Sequence, residues 1–424
     1  MNVLHLSTSD VGGGAARAAH RLHKGLRHAG TSSRMLVKNK LGEDDAVEEY
    51  CPPSRLWTRL KRRWRREKIQ RAFRRYRSTR PEGLEPFSDD RSQYSGRVLE
   101  QCPPAAVLNL HWVAEFVDVT AFFEHTTTPV VWTLHDMNPF TGGCHYNVDC
   151  RRYQDSCGCC PQLGSTEESD LSHDVWTRKR RVYDEAIRNQ RLQIVAPSEW
   201  LAQEAKRSSL FSKAEVRVIP YGIHQKTFRP RETQGLRASL DIPANNRVIL
   251  FVAHSTENHR KGFDLLAGAL ESLSVERVTL LSIGATTPEL NAACPHLHLG
   301  MLESDVLLSV LYSFADLFVI PSRQDNLPNT VLESMACGTP VVGFNVGGIP
   351  DMVRPGETGW LAEAGNVRAL RQTLETALRE QETRRRMGTR CREVVEEEYA
   401  LEVQARRYRD LYRQMVGEDS GSVG

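Results

Sequence analysis

Short apolar runs rich in Val, Ile and Leu alternate along the chain with stretches whose apolar residues recur every three or four positions. Runs of the first kind suit strands buried on both faces, and the second kind suits helices crossing between parallel strands. In the first half the pattern predicts strands at Val3–Leu6, Met35–Val37, Val107–Leu110, Val130–Leu134, Ile194–Ala196 and Arg217–Pro220. In the second half it predicts strands near Val248–Val252, Thr279–Ile283, Leu317–Ile320 and Val341–Phe344. A helix over Ala15–His28 carries Ala19, Leu22 and Leu26 on one side. Gly235 to Arg247 reads as a polar helix, and the chain beyond Gly365 reads as helix through Met415. Turn residues in VIPYGIHQKTFRP put a boundary near Tyr221–Arg237. The expected fold class is α/β: two facing doubly wound, Rossmann-like domains with a cleft between them. These domains are expected at residues 1–225 and 226–399, followed by a helix over 400–416 and a disordered tail over 417–424.

Composition narrows the class. A chain of 424 residues exceeds one ordinary core, which agrees with two domains. Hydrophobic content of 40% and charged content of 26% fit a globular protein. No apolar run reaches the ~18–20 residues that span a bilayer. The start MNVLHLSTSDVGGG lacks the basic head and long apolar stretch of a signal peptide, so the expected location is the cytoplasm, with thiols kept reduced.

The net charge of +3 conceals an asymmetry. Residues 55–80 hold thirteen Lys or Arg against one acid, Glu67, a local charge of +12 that leaves −9 for the rest. Within that segment Trp57, Leu60 and Trp64, then Ile69, Phe73 and Tyr76, recur at three-to-five-residue steps. A helix of this pattern has an aromatic face ringed by arginines, suited to an anionic membrane surface, and the expected place is the inner face of the plasma membrane. The plainer reading is a helical hairpin lying on the first domain. No recognition module accompanies the charge, so nucleic acid is not an expected partner.

The most informative stretch is PSRQDNLPNTVLESMACGTP, Pro321 to Pro340. It joins the apolar run ending at Ile320 to a helix, with Asp325 before the helix start and Glu333 eight residues later. Asn326, Leu327, Pro328, Asn329 and Thr330 form that start, with Pro328 suited to a first turn. Backbone N–H groups at such a terminus favour anions. A carboxylate on either side suits a ligand anionic in its middle and rich in hydroxyls at both ends, the shape of a sugar nucleotide. Elsewhere, Gly12, Gly13 and Gly14 follow the first strand and let a backbone approach a ligand closely, without the dinucleotide spacing GxGxxG. His135 and His111 each end a strand, where ligands of such sheets bind.

The stretch from Pro321, with the following NVGGIPDMV, resembles the acidic, seven residues, acidic motif of retaining glycosyltransferases of family four, glycosyl transferases group one. The resemblance implies the glycosyltransferase-B architecture, whose last helix crosses back to the first domain. It implies that Asp325 and the amides after it hold the donor sugar and diphosphate, and that Glu333 accepts the ribose hydroxyls. Asp325 departs from the usual Glu at its position. Gly13 and Gly14 match the loop near the diphosphate and acceptor, and His135 matches the residue touching the donor sugar. Lys261, in HRKGFDLL, matches the lysine that neutralises the leaving diphosphate. The usual Gly-Arg pair is replaced by His254 and Ser255, and Arg260 is read as its substitute. Gly347, Gly348 and Ile349 match a loop lining the donor site, and Pro197 and Ser198 echo another.

Five of ten cysteines fall between Cys144 and Cys160. Cys144, Cys150, Cys157 and Cys160 are spaced by five, six and two residues, a pattern that suits one structural zinc, with disulfides or free thiols as alternatives. The wording HDMNPFTGGCHY with a CPQL ending resembles a bacterial polysaccharide branch of the family. No cofactor is expected in catalysis. The implied activity is transfer of a sugar from a nucleotide diphosphate to a glycan or lipid-linked acceptor, with retention. A nucleotide-sugar epimerase and a non-catalytic membrane adaptor are the alternatives.

Overall fold

A computed structural model of the chain describes residues 1–287, 289–292 and 294–417. Apart from Gly417, the tail expected to be disordered lies outside the described residues. The chain forms two compact units, Met1–Pro220 with Gln404–Gly424, and Tyr221–Val403.

The first unit is built on strands β1 (Asn2–Ser9), β2 (Ser32–Asn39), β3 (Val47–Glu49), β4 (Val107–Leu110), β5 (Val130–Thr133), β6 (Leu192–Ala196) and β7 (Val216–Val218). They form one parallel sheet in the order β3-β2-β1-β4-β5-β6-β7. Alternation along each strand sends side chains to opposite faces. Leu4, Leu108, Val130 and Leu192 stand side by side in register, and with Leu6, Leu110, Trp132 and Ile194 they join one core. Val3, Val107, Val131 and Val195 face the other way.

That second face is covered by the helix Gly14–His28 through Leu22 and Leu26, and by the helix Leu401–Met415 through Ala405, Tyr408, Leu411 and Tyr412. The contact is polar at its centre. Asn109 Nδ2 donates to Tyr412 Oη at 2.6 Å, and Thr133 Oγ1 stands 2.9 Å from Tyr408 Oη. A strand polar group that is buried needs such a partner, so these tyrosines fix where the last helix sits.

The second unit holds β8 (Arg247–Val252), β9 (Val278–Ile283), β10 (His296–His298), β11 (Leu317–Ile320), β12 (Val341–Phe344) and β13 (Gly359–Ala362). This sheet is also parallel, in the order β10-β9-β8-β11-β12-β13. Both units are therefore doubly wound. Strand order reverses between β1 and β4 in the first and between β8 and β11 in the second, and ligands of such sheets bind at the carboxyl ends beside that reversal.

Every predicted strand is present. The additional ones, β3, β10 and β13, all lie at sheet edges, where a strand exposed on one side has no continuous apolar run. The helix expected over Gly235–Arg247 is shorter. Only Leu236–Ser239 is helical, because Pro243 and the turn before Arg247 interrupt it and β8 begins at Arg247. The basic segment forms one helix, Leu56–Arg74, rather than a hairpin. Among the described residues no helix is long and apolar enough to cross a membrane.

Candidate functional site

In the second unit two segments meet beside the reversal of strand order. One leaves β8 and reaches a 3-10 turn at His259–Lys261, and the other leaves β11 and runs to the helix Asn329–Ala336. They are stitched together by main chain. Arg323 N donates to Arg260 O at 2.8 Å, and Arg260 Nη1 donates to Gln324 O at 3.0 Å. Gly262 has a φ of 69°, and a Cβ there would overlap Pro321 O, so only glycine permits this approach. Lys261 closes the 3-10 turn instead of opening the helix. That helix, Phe263–Glu271, starts after the left-handed Gly262.

These contacts place Lys261 and Arg260 around Asp325. Lys261 Nζ lies 2.7 Å and Arg260 Nη1 3.2 Å from Asp325 Oδ2, and Asn326 N donates to Oδ1 at 3.1 Å. Asp325 is 6% exposed. Burial by itself would raise its pKa, but Lys261 first and Arg260 second outweigh burial and hold the carboxyl at about 2. The site thus keeps a buried carboxylate ionised with two cations at its edge.

From the other side, the glycine loop Gly347–Gly348 holds the Asp325 main chain. Gly348 N donates to Asp325 O at 3.0 Å, and Gly347 has a φ of 56° with Asp325 O where a Cβ would stand. The predicted donor loop therefore acts on Asp325 through its backbone. Ile349 is buried at the start of a short helix.

Pro328 precedes the helix Asn329–Ala336 as its cap residue, one place earlier than a first-turn position, and the helix has no side-chain cap. Leu327 is buried, as is Asn326, while Thr330 is half-buried. Glu333, one turn into the helix, is buried and accepts from Tyr312 Oη at 3.3 Å. The anion-favouring terminus and both acids thus belong to one unit. His254 and Ser255 follow β8 after Ala253, and no arginine stands there.

In the first unit, β1 leads into Gly12–Gly14. Gly13 has a φ of 89°, and the helix begins at Gly14. The neighbouring strand β4 leads to His111, and β5 leads to His135. Both histidines line a pocket at these strand ends, with Trp112, Asp136 and Asn138. Trp112 Nε1 donates to Asp136 Oδ2 at 2.9 Å, and His145 Nδ1 lies 2.6 Å from the same oxygen. Ser198 caps the helix Glu199–Arg207 by accepting from Leu201 N, which gives it a structural task.

Sequence reasoning missed His5, within β1, whose Nδ1 lies 2.9 Å from His111 Nε2. Its signal was a histidine between Leu4 and Leu6 in a strand buried on both faces. Lys179 was also missed: it is buried, and its Nζ donates to Asn138 O at 2.5 Å and Thr141 O at 3.0 Å. Burial lowers its pKa to about 8.

Cys144, Cys150, Cys157 and Cys160 are brought together around one pocket, and none forms a disulfide. Burial pushes the Cys157 thiol up to about 12 and raises Cys144 and Cys160 as well. Among the described residues no three His, Cys, Asp or Glu side chains are placed to hold a metal ion. The four thiols share one cavity. Nearby, Asp136 and Ser88 Oγ engage the two ring nitrogens of His145.

Residues 246–380 match the family model described as Glycosyl transferases group 1. That match falls within the second unit. The chain is 29% identical to sulfoquinovosyl transferase SQD2 of Arabidopsis thaliana over 211 residues, 48% of this chain and 41% of that protein. It is 29% identical to D-inositol 3-phosphate glycosyltransferase of Mycobacterium tuberculosis over 177 residues, 39% of this chain and 36% of that protein. The chain thus spans less than half the length of these curated relatives. In fold it is similar to sucrose-phosphate synthase from Thermosynechococcus elongatus, with a TM-score of 0.65, 19% identity, and coverage of 98% of this chain and 100% of that one. Anabaena Alr3699/HepE, crystallised with UDP and glucose, gives a TM-score of 0.64 at 16% identity with the same coverage. The fold is glycosyltransferase-B.

Replacing Gly347 by Ala tests how the Asp325 loop is held. Left-handed backbone strain and overlap with Asp325 O should together cost about 2 kcal/mol or more. Denaturant unfolding of Gly347→Ala against the unaltered chain measures this. A change within experimental error would mean that Asp325 is held by other contacts.

Proposed function

We propose that this chain is a retaining glycosyltransferase. It moves a sugar from a nucleoside diphosphate to a hydroxyl of a lipid-linked glycan acceptor, in the building of a bacterial surface polysaccharide. The observation that carries this reading is Asp325, a buried carboxylate kept ionised by Lys261 and Arg260 at the carboxyl end of β11, with Glu333 a turn into the next helix. Names of relatives support it: one is a sulfoquinovosyl transferase, another an inositol phosphate glycosyltransferase, and a fold neighbour was crystallised with UDP and glucose.

Each group has a physical task under this reading. Glu333 accepts from paired ribose hydroxyls, which a carboxylate does and an amide does poorly. Asp325 and the backbone of Asn326, Leu327, Pro328, Asn329 and Thr330 hold the sugar and diphosphate. Charge accumulates on the diphosphate as the glycosidic bond breaks, so Lys261 and Arg260 stabilise the transition state more than the bound donor. Gly13, Gly14 and His135 are the groups of the first unit proposed to meet the ligands. No metal is assigned a catalytic step. The grip on diphosphate and ribose is common to all such donors, so it does not select base or sugar.

The helix Leu56–Arg74 is the proposed membrane contact, on the cytoplasmic side. Trp57 is 76% exposed and Trp64 68%, with Leu60 beside them, while Arg65 ties the helix down by pairing with Asp118 at 2.6 Å. Only its far end is covered: Phe73 and Tyr76 join a small core with Leu163 and Leu171. Two large exposed indoles among arginines suit an anionic lipid surface. The proposed zinc would be held by the four thiols of the Cys144–Cys160 loop, whose convergence on one cavity is its support.

Five measurements test these readings. Incubation with a panel of nucleotide sugars should show slow donor hydrolysis with at least one donor. Glu333→Gln should weaken donor binding about tenfold. Lys261→Ala should instead lower kcat about a hundredfold. No hydrolysis with any donor favours the adaptor, and interconversion of sugars without acceptor favours the epimerase. In flotation, vesicles containing anionic lipid should retain the protein and lose it as salt rises, whereas neutral vesicles should not; equal recovery from both removes the membrane role. Protein purified without added metal should carry close to one zinc per chain, and under about a tenth rejects the site.

A further inference from the structure

We propose that Asp10 is a positioning residue: its carboxylate joins the loop after β1 to the loop after β2, and through Ser9 and Leu41 it sets where the turn Gly12–Gly14 stands. This rests on the reading of Gly13 and Gly14 as groups that meet a ligand. Asp10 follows β1 directly, beside the reversal of strand order, and is 0% exposed. Its Oδ1 accepts from Val11 N and from Leu41 N, both at 2.9 Å, and its Oδ2 accepts from Gly42 N at 2.8 Å. One side chain thus binds three main-chain N–H groups on two loops, reaching partners 31 and 32 residues away in the chain.

This arrangement needs a carboxylate. An ionised carboxyl accepts at both oxygens, whereas an amide of the same size accepts at one end and donates at the other. With asparagine at this position an N–H2 would face an N–H. Burial by itself would raise the pKa of Asp10, but the bonds from Leu41 and Gly42, with those nearer in the chain, outweigh it and hold the carboxyl below its ordinary value. The group is charged at neutral pH, and its bonds are of the stronger, charge-assisted kind. Gly42 permits the approach, since a Cβ there would lie 3.0 Å from Asp10 Oδ2.

Two contacts carry the position of Asp10 to the turn. Ser9 Oγ reaches Asp10 Oδ1 at 3.5 Å and accepts from Gly12 N at 3.1 Å. On the other side Leu41 lies against Gly12: a Cβ on Gly12 would stand 2.9 Å from Ser9 Oγ and 3.3 Å from Leu41 Cδ1. Leu41 is 67% exposed, so it is not side-chain burial that keeps it there; its main-chain bond to Asp10 does. Farther along the same loop Asp44 accepts from Arg27 Nη1 and Ala46 N, both at 3.0 Å, and lies 3.2 Å from His20 Nε2. The loop is thereby tied to the helix that begins at Gly14. Strand end, loop and helix make one frame around the turn. A turn held in place beforehand loses less freedom when a ligand arrives.

The first test needs no substrate. Amide hydrogen exchange of the full chain, read by nuclear magnetic resonance, should show Leu41 and Gly42 protected although both lie outside helix and strand. Fast exchange at both overturns the proposal. In Asp10→Asn those two amides and that of Gly12 should exchange at least about tenfold faster, while the amides of β4 and β5 keep their rates. Unchanged loop rates in that variant overturn it as well. The second test is a double-mutant cycle on kcat with folded variants. Asp10→Asn should lower kcat about tenfold with donor KM little changed, since Asp325 and Glu333 hold the donor. Gly12→Ala displaces the turn by itself, so adding Asp10→Asn to it should cost little more; losses that multiply overturn the proposal, because Asp10 would then act elsewhere. Exchange in the unaltered chain decides even where Asp10→Asn fails to fold. Failure of the transferase reading would look different: protected Leu41 and Gly42 amides, loosened by Asp10→Asn, with no donor turned over.

Discussion

A buried carboxylate must be neutralised, paired or protonated, and in the second unit that requirement organises everything around Asp325. Two cations answer it from the turn after β8, and the backbone of the glycine loop after β12 holds the residue from behind. Because β8 and β11 are neighbours whose onward connections diverge, the space at their carboxyl ends stays open between the two segments. The electrostatics and the topology point to one place. Each close approach there depends on a glycine, Gly262 on one side and Gly347 on the other, where a side chain would overlap a carbonyl oxygen.

The first unit also pairs buried carboxylates with arginines, Asp90 with Arg178 and Asp118 with Arg65. Beside them it has chains of neutral groups: Asn109, Thr133, Tyr408 and Tyr412 on one face of the sheet, and His5, His111 and His135 at the strand ends. Neutral chains avoid the desolvation cost of ions and have directional preferences, so they fix both position and hydrogen placement. One such chain anchors the last helix.

The basic helix shows how one periodic pattern serves two ends. Its aromatic residues recur regularly from Trp57 to Tyr76, yet only those nearer the carboxyl end find a core, with Phe73 stacked on Phe87 at 5.9 Å. Those nearer the start stay exposed among arginines. Periodicity specifies a face; it does not specify what covers the face.

The sequence by itself determined the two parallel sheets, the central strands, the long helices and the acidic pair Asp325 and Glu333, because buried strands need unbroken apolar runs and loop chemistry needs particular residues. It did not determine the edge strands Val47–Glu49, His296–His298 and Gly359–Ala362, which are half solvated and lose that run. Tertiary structure alone decided that Lys261 reaches Asp325 from a 3-10 turn across 64 residues, and that His5 stands behind His111. It also decided that four cysteines gather around one cavity. Such juxtapositions depend on which strands lie side by side and in what register, and that order follows from the packing of whole elements and from no local run of residues.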